Sequence, residues 1–328
     1  MAEARQTGAT PPPEGQATPR PDALRPPAPG LHFIATPIGT ARDITLRALD
    51  LLRSAEVIAA EDTRSLRQLM EIHGVPLGHR PMIAYHDHNG AAARPRLMAA
   101  LAEGRSVVYA SEAGTPLVAD PGYQLAREAR EAGFAVHVAP GPSAVLAALT
   151  VSGLPTDRFL FAGFAPRPAG ARKAWLAEIG AVPATLVIYE SPRRLGGLLN
   201  DMCQSWGEER IVAVCRELTK RFEEVRRGPL GQIAADYADA PPKGEIVVVV
   251  DRPQPRAAAA EDVEDALRAA LARLRVKDAA TEVARALDLP RRDVYQLALR
   301  LGAEARGNET QADDTTDERG APNGPSDG

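Results

Sequence analysis

The chain has 328 residues, 45% of them hydrophobic and 25% charged, enough to bury a sizeable core and more in keeping with two domains than with one. No run approaches the length of about eighteen apolar residues that a transmembrane helix needs, and residues 1–30 lack the apolar centre of a secretory signal. The two cysteines, Cys203 and Cys215, have no Cys or His neighbours at metal-ligand spacing, which argues against a disulfide scaffold and structural zinc and for a cytoplasmic protein.

The net charge of −4 is unevenly spread. Residues 301–328 carry a net −5 and residues 1–30 net zero, which leaves +1 on 31–300; within that stretch, 268–300 holds eight bases against four acids. An acidic total therefore does not exclude an anionic partner for this segment.

Taken in order, residues 1–30 are rich in Pro, Ala and Gly and read as a disordered extension. A first strand over 31–35 ends in Thr36-Pro37-Ile38-Gly39, and Asp43 is placed to cap a helix with Ile44, Leu46, Leu49, Leu51 and Leu52 on its apolar face. A strand over 57–60 ends in Glu61-Asp62-Thr63-Arg64. Another, over 83–85, runs into His86-Asp87-His88-Asn89-Gly90. The apolar run 107–110 reads as a buried strand and feeds the loop Ser111 to Gly122, with a helical pattern from Tyr123 to Ala132 beyond it. Two prolines and two glycines fix an unusual path in that loop, and Gly114 permits close approach of a ligand to the main chain. A second rigid loop, Ala139 to Ala144, follows a strand pattern over 135–138. Either loop alone could be a tight connection without a ligand. Two at successive strand ends resemble opposite walls of one pocket, since open α/β sheets bind ligands beyond the carboxyl ends of their strands. The β/α alternation argues for a mainly parallel sheet.

After Gly153-Leu154-Pro155 the pattern restarts. Strands are expected over 158–162, 185–189, 211–215 and 246–250, and polar residues stand at their ends: Tyr189-Glu190-Ser191-Pro192-Arg193-Arg194, Arg216-Glu217-Leu218-Thr219-Lys220 and, before the last, Lys243-Gly244-Glu245. Pro253-Gln254-Pro255 is a linker. Short helices over 261–274, 277–287 and 291–301 resemble a helix-turn-helix unit, although a packing or dimer-contact bundle is an alternative. The expected organisation is an extension (1–30), two α/β domains (31–153 and 154–252), a helical RNA-binding-like unit (256–302) and an acidic disordered tail (303–328). Neither Gly-x-Gly-x-x-Gly nor the P-loop motif occurs, so the pocket binds its ligand without the common dinucleotide and nucleotide fingerprints.

Seven ordered motifs, Thr36-Pro37-Ile38-Gly39, Ala60-Glu61-Asp62-Thr63-Arg64, Ser111 to Gly122, Pro140-Gly141-Pro142-Ser143-Ala144, Tyr189-Glu190-Ser191-Pro192, Arg216-Glu217-Leu218-Thr219-Lys220 and Lys243-Gly244-Glu245, closely resemble those of the bacterial ribosomal RNA small-subunit methyltransferase I family, within the tetrapyrrole-methylase superfamily. The resemblance covers about 31–301. It implies the class III methyltransferase fold, two α/β domains with S-adenosylmethionine in the cleft between them and no metal. It also implies a homodimer and 2′-O-methylation of a cytidine ribose in the decoding region of 16S rRNA. By motif, Ser111, Gly114, Thr115, Pro116, Ser143 and Ala144 would hold the cofactor, with Pro37 nearby, and Tyr189, Leu218 and Gly244 would line the cleft from the second domain. Three positions depart from the family pattern: Thr40 stands for Asn, Glu112 for Asp, and Arg193 where His is frequent.

Methyl transfer to a ribose hydroxyl is an in-line displacement, helped by orientation and by a base within hydrogen-bond reach. The strand ends offer Asp62, Glu61, Glu190, His86 and Lys220. Asp62 is the expected base or orienting group, Arg64 could position a phosphate or that carboxylate, and Lys220 could meet an RNA phosphate; the competing reading is that Asp62 caps the next helix. His86 and His88 form at most part of a metal shell, and Trp175 and Trp206 read as packing residues. With 4% aromatics, the chain is poor in the stacking surface that single-strand readers present, so selection would rest on rRNA shape and phosphate contacts. Two other functions stay open, a corrinoid or other tetrapyrrole C-methyltransferase and a non-catalytic RNA-binding assembly factor.

Overall fold

The structure, a computed structural model, describes residues 26–253 and 260–314 apart from 239 and 288, with side chains described within 26–253 and 263–303. Most of the expected extension and the last part of the tail, residues 1–25 and 315–328, lie outside the described residues.

Five parallel strands form the first sheet, in the order β3-β2-β4-β1-β5. They are β1 (Gly30–Ile34), β2 (Val57–Ala60), β3 (Met82–Ala84), β4 (Ser106–Ala110) and β5 (Val136–Ala139). The central strands read as continuous apolar runs because both faces are covered. Ile34, Ile58 and Val108 point to one face, under α1 (Leu46–Ser54) and α2 (Thr63–Ile72). Phe33, Ala59 and Tyr109 point to the other, under α3 (Gly90–Ala102) and α4 (Tyr123–Glu131). Asp43 does not cap α1. Its place is taken by Thr45, whose hydroxyl accepts the Ala48 N–H at 3.1 Å, while Asp43 closes a short 3-10 turn.

Helix α5 (Ala144–Ser152) ends the first half but turns its buried side, Val145, Ala148 and Leu149, onto the second sheet. That sheet has the order β6-β7-β10-β8-β9 and contains β6 (Phe159–Phe164), β7 (Thr185–Glu190), β8 (Ile211–Arg216), β9 (Glu224–Pro229) and β10 (Ile246–Val250). Only β6 and β7 pair in parallel; β10 runs antiparallel to β7 and β8, and β9 antiparallel to β8. The edge strand β9, whose sequence Glu-Val-Arg-Arg-Gly-Pro lacks an apolar run, is absent from the sequence reading. The outer face is covered by α6 (Ala169–Gly180), α7 (Pro192–Trp206) and α8 (Leu230–Asp236). Trp175 and Trp206 pack against this core, and the Trp206 indole donates to the Leu176 carbonyl at 3.0 Å. The two sheets belong to one compact unit that ends at Arg252, because α5 is shared between them.

The second unit holds α9 (Ala260–Leu271), α10 (Val276–Ala286) and α11 (Arg291–Asp314) around its own small core of Val263, Leu267, Val283, Val294, Ala298 and Leu301. The last helix runs past the expected end at 302, so residues 303–314 are helical where the sequence suggested an unstructured tail. Once Val294, Ala298 and Leu301 anchor the helix, propagation costs less than nucleation. No helix among the described residues is long and apolar enough to cross a membrane.

Candidate active site

Antiparallel pairing decides where the second sheet contributes. Ile246, the first residue of β10, lies opposite Glu190 at the end of β7 and opposite Arg216 at the end of β8. The residues just before β10, Gly244 and Glu245, therefore join the polar ends of two other strands. Facing them are the loops after β1, β2, β4 and β5. Between the two sets lies a cavity of about 440 Å³, within the range of ligand sites, which is roughly 300–1,000 Å³. Its walls include Ile38, Glu61, Glu112, Gly114, Thr115, Val118, Asp120, Ser143 and Ala144 from the first half. Phe164, Tyr189, Glu190, Cys215, Leu218, Gly244, Glu245 and Val247 complete it from the second.

The loop after β4 is tied from several directions. Gly114 and Thr36 exchange backbone hydrogen bonds of 3.0 Å in an isolated bridge. The Ser111 hydroxyl donates to the Gly114 carbonyl at 2.6 Å, and the Thr36 hydroxyl to the Ser111 carbonyl at 3.1 Å. Thr115 donates to the Pro142 carbonyl at 2.8 Å, joining the two Gly/Pro loops. Gly114 has φ +80°, and a Cβ there would stand 3.3 Å from the Ile38 methyl. Among the described residues, four non-glycine residues have positive φ, namely Leu117, Ala119, Glu217 and Thr219. All four lie in the two loops that border the cavity, where about 1–3 kcal/mol of strain each is held by surrounding contacts. Thr40, at the first departure from the family pattern, donates its N–H to Thr219 Oγ1 at 3.2 Å and so ties the loop after β1 to the loop after β8.

Five carboxylates line the cavity and no Lys, Arg or His does. Two are paired, Glu190 with Arg194 at 3.0 Å and Glu245 with Lys220 at 3.0 Å. Glu61, Glu112 and Asp120 have no ion pair among the described residues. Burial pushes the Glu61 carboxyl up to about 7, partly opposed by the Glu112 N–H that it accepts at 3.0 Å and reinforced by the neighbouring Asp120. Burial, with the Asp120 charge beside it, also raises the Tyr109 phenol. Cys215 is pushed up to about 12 by burial, so it serves as an apolar wall rather than a nucleophile.

Of the expected cofactor residues, Gly114, Thr115, Ser143, Ala144, Tyr189, Leu218 and Gly244 line the cavity. Ser111 and Pro116 are buried behind it and hold the loop, and Pro37 is the neighbour of the lining residue Ile38. The expected base is displaced. Asp62 turns its carboxylate to the start of α2, accepting the Arg64 N–H at 2.7 Å and the Ser65 N–H at 3.3 Å. Those bonds hold its carboxyl below the usual range, which weakens it as a base, and it is not among the lining residues. The reason is local: the first N–H groups of a helix need acceptors. Arg64 is 92% exposed beside it. Lys220 is held by Glu217 and Glu245, both at 3.0 Å. His86 and His88 have ring centres 6.1 Å apart, and no group of three metal-binding side chains occurs among the described residues. The sequence reading missed Asp120, Phe164 and Val118 as walls; Glu61 and Glu190 stood in its list of strand-end candidates, one residue from those it favoured.

Residues 30–234 match the family model described as Tetrapyrrole (Corrin/Porphyrin) Methylases, and residues 257–302 match that of the RsmI C-terminal HTH domain. Ribosomal RNA small subunit methyltransferase I of Mesorhizobium japonicum is 48% identical over 278 residues, covering 84% of this chain and 94% of that protein. The proteins of the same name from Mycobacterium tuberculosis and Escherichia coli O157:H7 are 42% and 40% identical, over 83% and 82% of this chain and 95% and 94% of theirs. The chain belongs to the ribosomal RNA small subunit methyltransferase I family. It is a methyltransferase dependent on S-adenosylmethionine, of the tetrapyrrole-methylase fold. Among solved structures, a cobalt precorrin-4 methyltransferase superposes with a TM-score of 0.52 at 16% identity, covering 72% of this chain and 98% of that one. Diphthine synthase gives 0.51 at 19%, covering 67% and 89%. At such identities these two describe the fold alone.

Proposed function

We propose that the chain methylates the ribose 2′-hydroxyl of a cytidine in the decoding region of 16S rRNA, in the cytoplasm, as a homodimer acting on the small ribosomal subunit. The observation that carries the methyl-transfer site is the cavity at the meeting of the strand ends, with three carboxylates that lack basic partners. A cavity of that charge attracts a cationic ligand. The walls fit S-adenosylmethionine: main chain exposed at Gly114 and Gly244, apolar surface from Ile38, Val118, Leu218 and Val247, and the rings of Tyr189 and Phe164 5.5 Å apart.

Gly114, Thr115 and the amino end of α5 at Ser143 and Ala144 would hold the polar amino-acid end, where free backbone N–H groups receive a carboxylate. Tyr189, Leu218 and Gly244 would pack the nucleoside. When bound, the cofactor supplies an electrophilic methyl group on a sulfonium. The protein's part is then to exclude water, to stabilise the positive charge with the Glu112 and Asp120 carboxylates, and to orient the hydroxyl acceptor. Arg64, well exposed at the mouth of the β2 loop, is proposed to meet an RNA phosphate, and Lys220 to order the loop after β8 through its two carboxylates. Within the helical unit, the exposed Arg291 and Arg292 on α11 offer cationic side chains for RNA phosphates. The dimer reading is supported by exposed apolar side chains in consecutive elements, Val138, Leu146, Val151 and Phe159.

The test is transfer from labelled S-adenosylmethionine to small subunits lacking the modification, beside naked 16S rRNA and a tetrapyrrole acceptor. Label in a cytidine ribose of the subunit RNA is the expected result. Label on the tetrapyrrole instead would replace this reading with C-methylation, and cofactor binding without any transfer would favour an assembly factor.

A further inference from the structure

The loop after β4 and the end of β2 bring two carboxyl groups together inside the cavity. Asp120 Oδ1 accepts both the buried Tyr109 hydroxyl at 2.7 Å and the Gly122 N–H at 2.9 Å. Its second oxygen, Oδ2, is buried and has no hydrogen-bond partner. A buried acceptor without a donor costs stability, and the group that can supply one is Glu61, whose carboxyl lies within side-chain hydrogen-bond reach of Asp120. One oxygen of Glu61 is already committed to the Glu112 N–H. A proton on the Glu61 carboxyl would give Asp120 a further donor. The groups that face Glu61 are Asp120 and Glu112 from the loop after β4 and Tyr109 from β4, with Tyr85 stacked edge-on behind Tyr109 at 5.8 Å. No cation stands among them.

We propose that Glu61, rather than Asp62, is the general base of the methyl transfer, with Asp120 and Tyr109 as the residues that position it. The inference rests on the methyl-transfer reading given above. In its ionised form Glu61 accepts the hydroxyl proton as the hydroxyl oxygen forms its bond to the methyl carbon. The carbon–sulfur bond breaks with its electron pair left on sulfur, so the sulfonium becomes a neutral thioether and the proton ends on Glu61, shared with Asp120. No further reactant is needed. A base that titrates near the working pH combines a useful ionised fraction with enough proton affinity, whereas the helix-capping Asp62 is a weaker acceptor.

Two measurements on the full-length protein decide it. The first follows Glu61 by carbon-13 carboxyl NMR, assigned by its loss in Glu61→Gln; titration near pH 7 is expected, moving lower in Asp120→Asn, and titration near 4.5 would overturn the proposal. The second measures single-turnover methyl transfer to small subunits against pH. The wild-type rate is expected to rise with pH through about 7, and Glu61→Gln, compared at saturating cofactor and with folding retained, to lose on the order of 100-fold or more. Glu61→Asp should keep part of the rate and the pH dependence, and Asp120→Asn should shift the profile downward in pH, which a purely structural role would not do. A Glu61→Gln protein that transfers at the wild-type rate would overturn the base and leave the function standing. A wild type that labels no RNA while Glu61 still titrates near neutrality would overturn the function, and with it the role of Glu61.

Discussion

Neighbouring residues at the end of β2 divide two tasks that look alike on paper. Asp62 points to the α2 backbone and Glu61 into the cavity. Asp62→Ala is expected to cost about 1 kcal/mol through loss of the cap while leaving methyl transfer largely intact. Because its folded carboxyl titrates below the unfolded value, the stabilisation is present above about pH 4 and disappears as pH falls through the folded value. Urea unfolding of wild type and variant across a range of pH reads this directly: the midpoints differ at pH 7 and the difference shrinks as the pH is lowered into the acid range. Gly114 presents a different constraint, a left-handed backbone against Ile38. Gly114→Ala should destabilise by about 1–2 kcal/mol and weaken cofactor binding on the order of tenfold, or 1.4 kcal/mol. Calorimetry that found unchanged affinity would remove Gly114 from the cofactor wall.

The outer layer of the second sheet depends on a buried link between elements. Arg172 of α6 contacts Asp201 of α7 through Nη2 at 2.5 Å and Nε at 2.7 Å, with side chains 13% and 8% exposed. Removing one partner strands the other charge in the interior. Asp201→Ala should therefore cost about 3–5 kcal/mol, and Arg172→Leu combined with Asp201→Leu should recover much of it. A chemical-denaturation cycle over both sites checks the prediction, and additive losses would show that the pair is not coupled. Helix α5 acts as an element shared by the two sheets, with Ala148 beneath the Cys215 thiol on one side of the cavity.

At the level of the molecule, the α/β unit and the helical unit each have their own core. Deleting residues 256–328 should leave the thermal unfolding and cofactor affinity of the α/β unit close to those of the full chain, and should reduce methyl transfer to small subunits by tenfold or more. Unchanged transfer would take the helical unit out of substrate recognition. The periodicity of 31–151 was sufficient for the first sheet because parallel strands buried on both faces are continuous apolar runs. It failed at β9, an edge strand rich in charge, and it could not announce that β10 would run antiparallel, since apolar runs carry no direction.

The turn-forming Gly and Pro residues, the apolar strands and the resemblance of the ordered loop motifs to a known family carried the fold class and the family, and they pointed to most of the residues that line the cavity. Which carboxylate faces the cavity was decided only by the tertiary structure. Glu61 and Asp62 are adjacent in a strand-end loop; the Asp62 contact with the α2 backbone is local, but whether Glu61 meets another carboxyl depends on elements far away in sequence. Asp120 reaches Glu61 because β4 lies beside β2 in the sheet, and Glu245 joins the site because β10 enters it against the direction of its neighbours. Pairing between distant strands sets both contacts, and no local pattern contains that information.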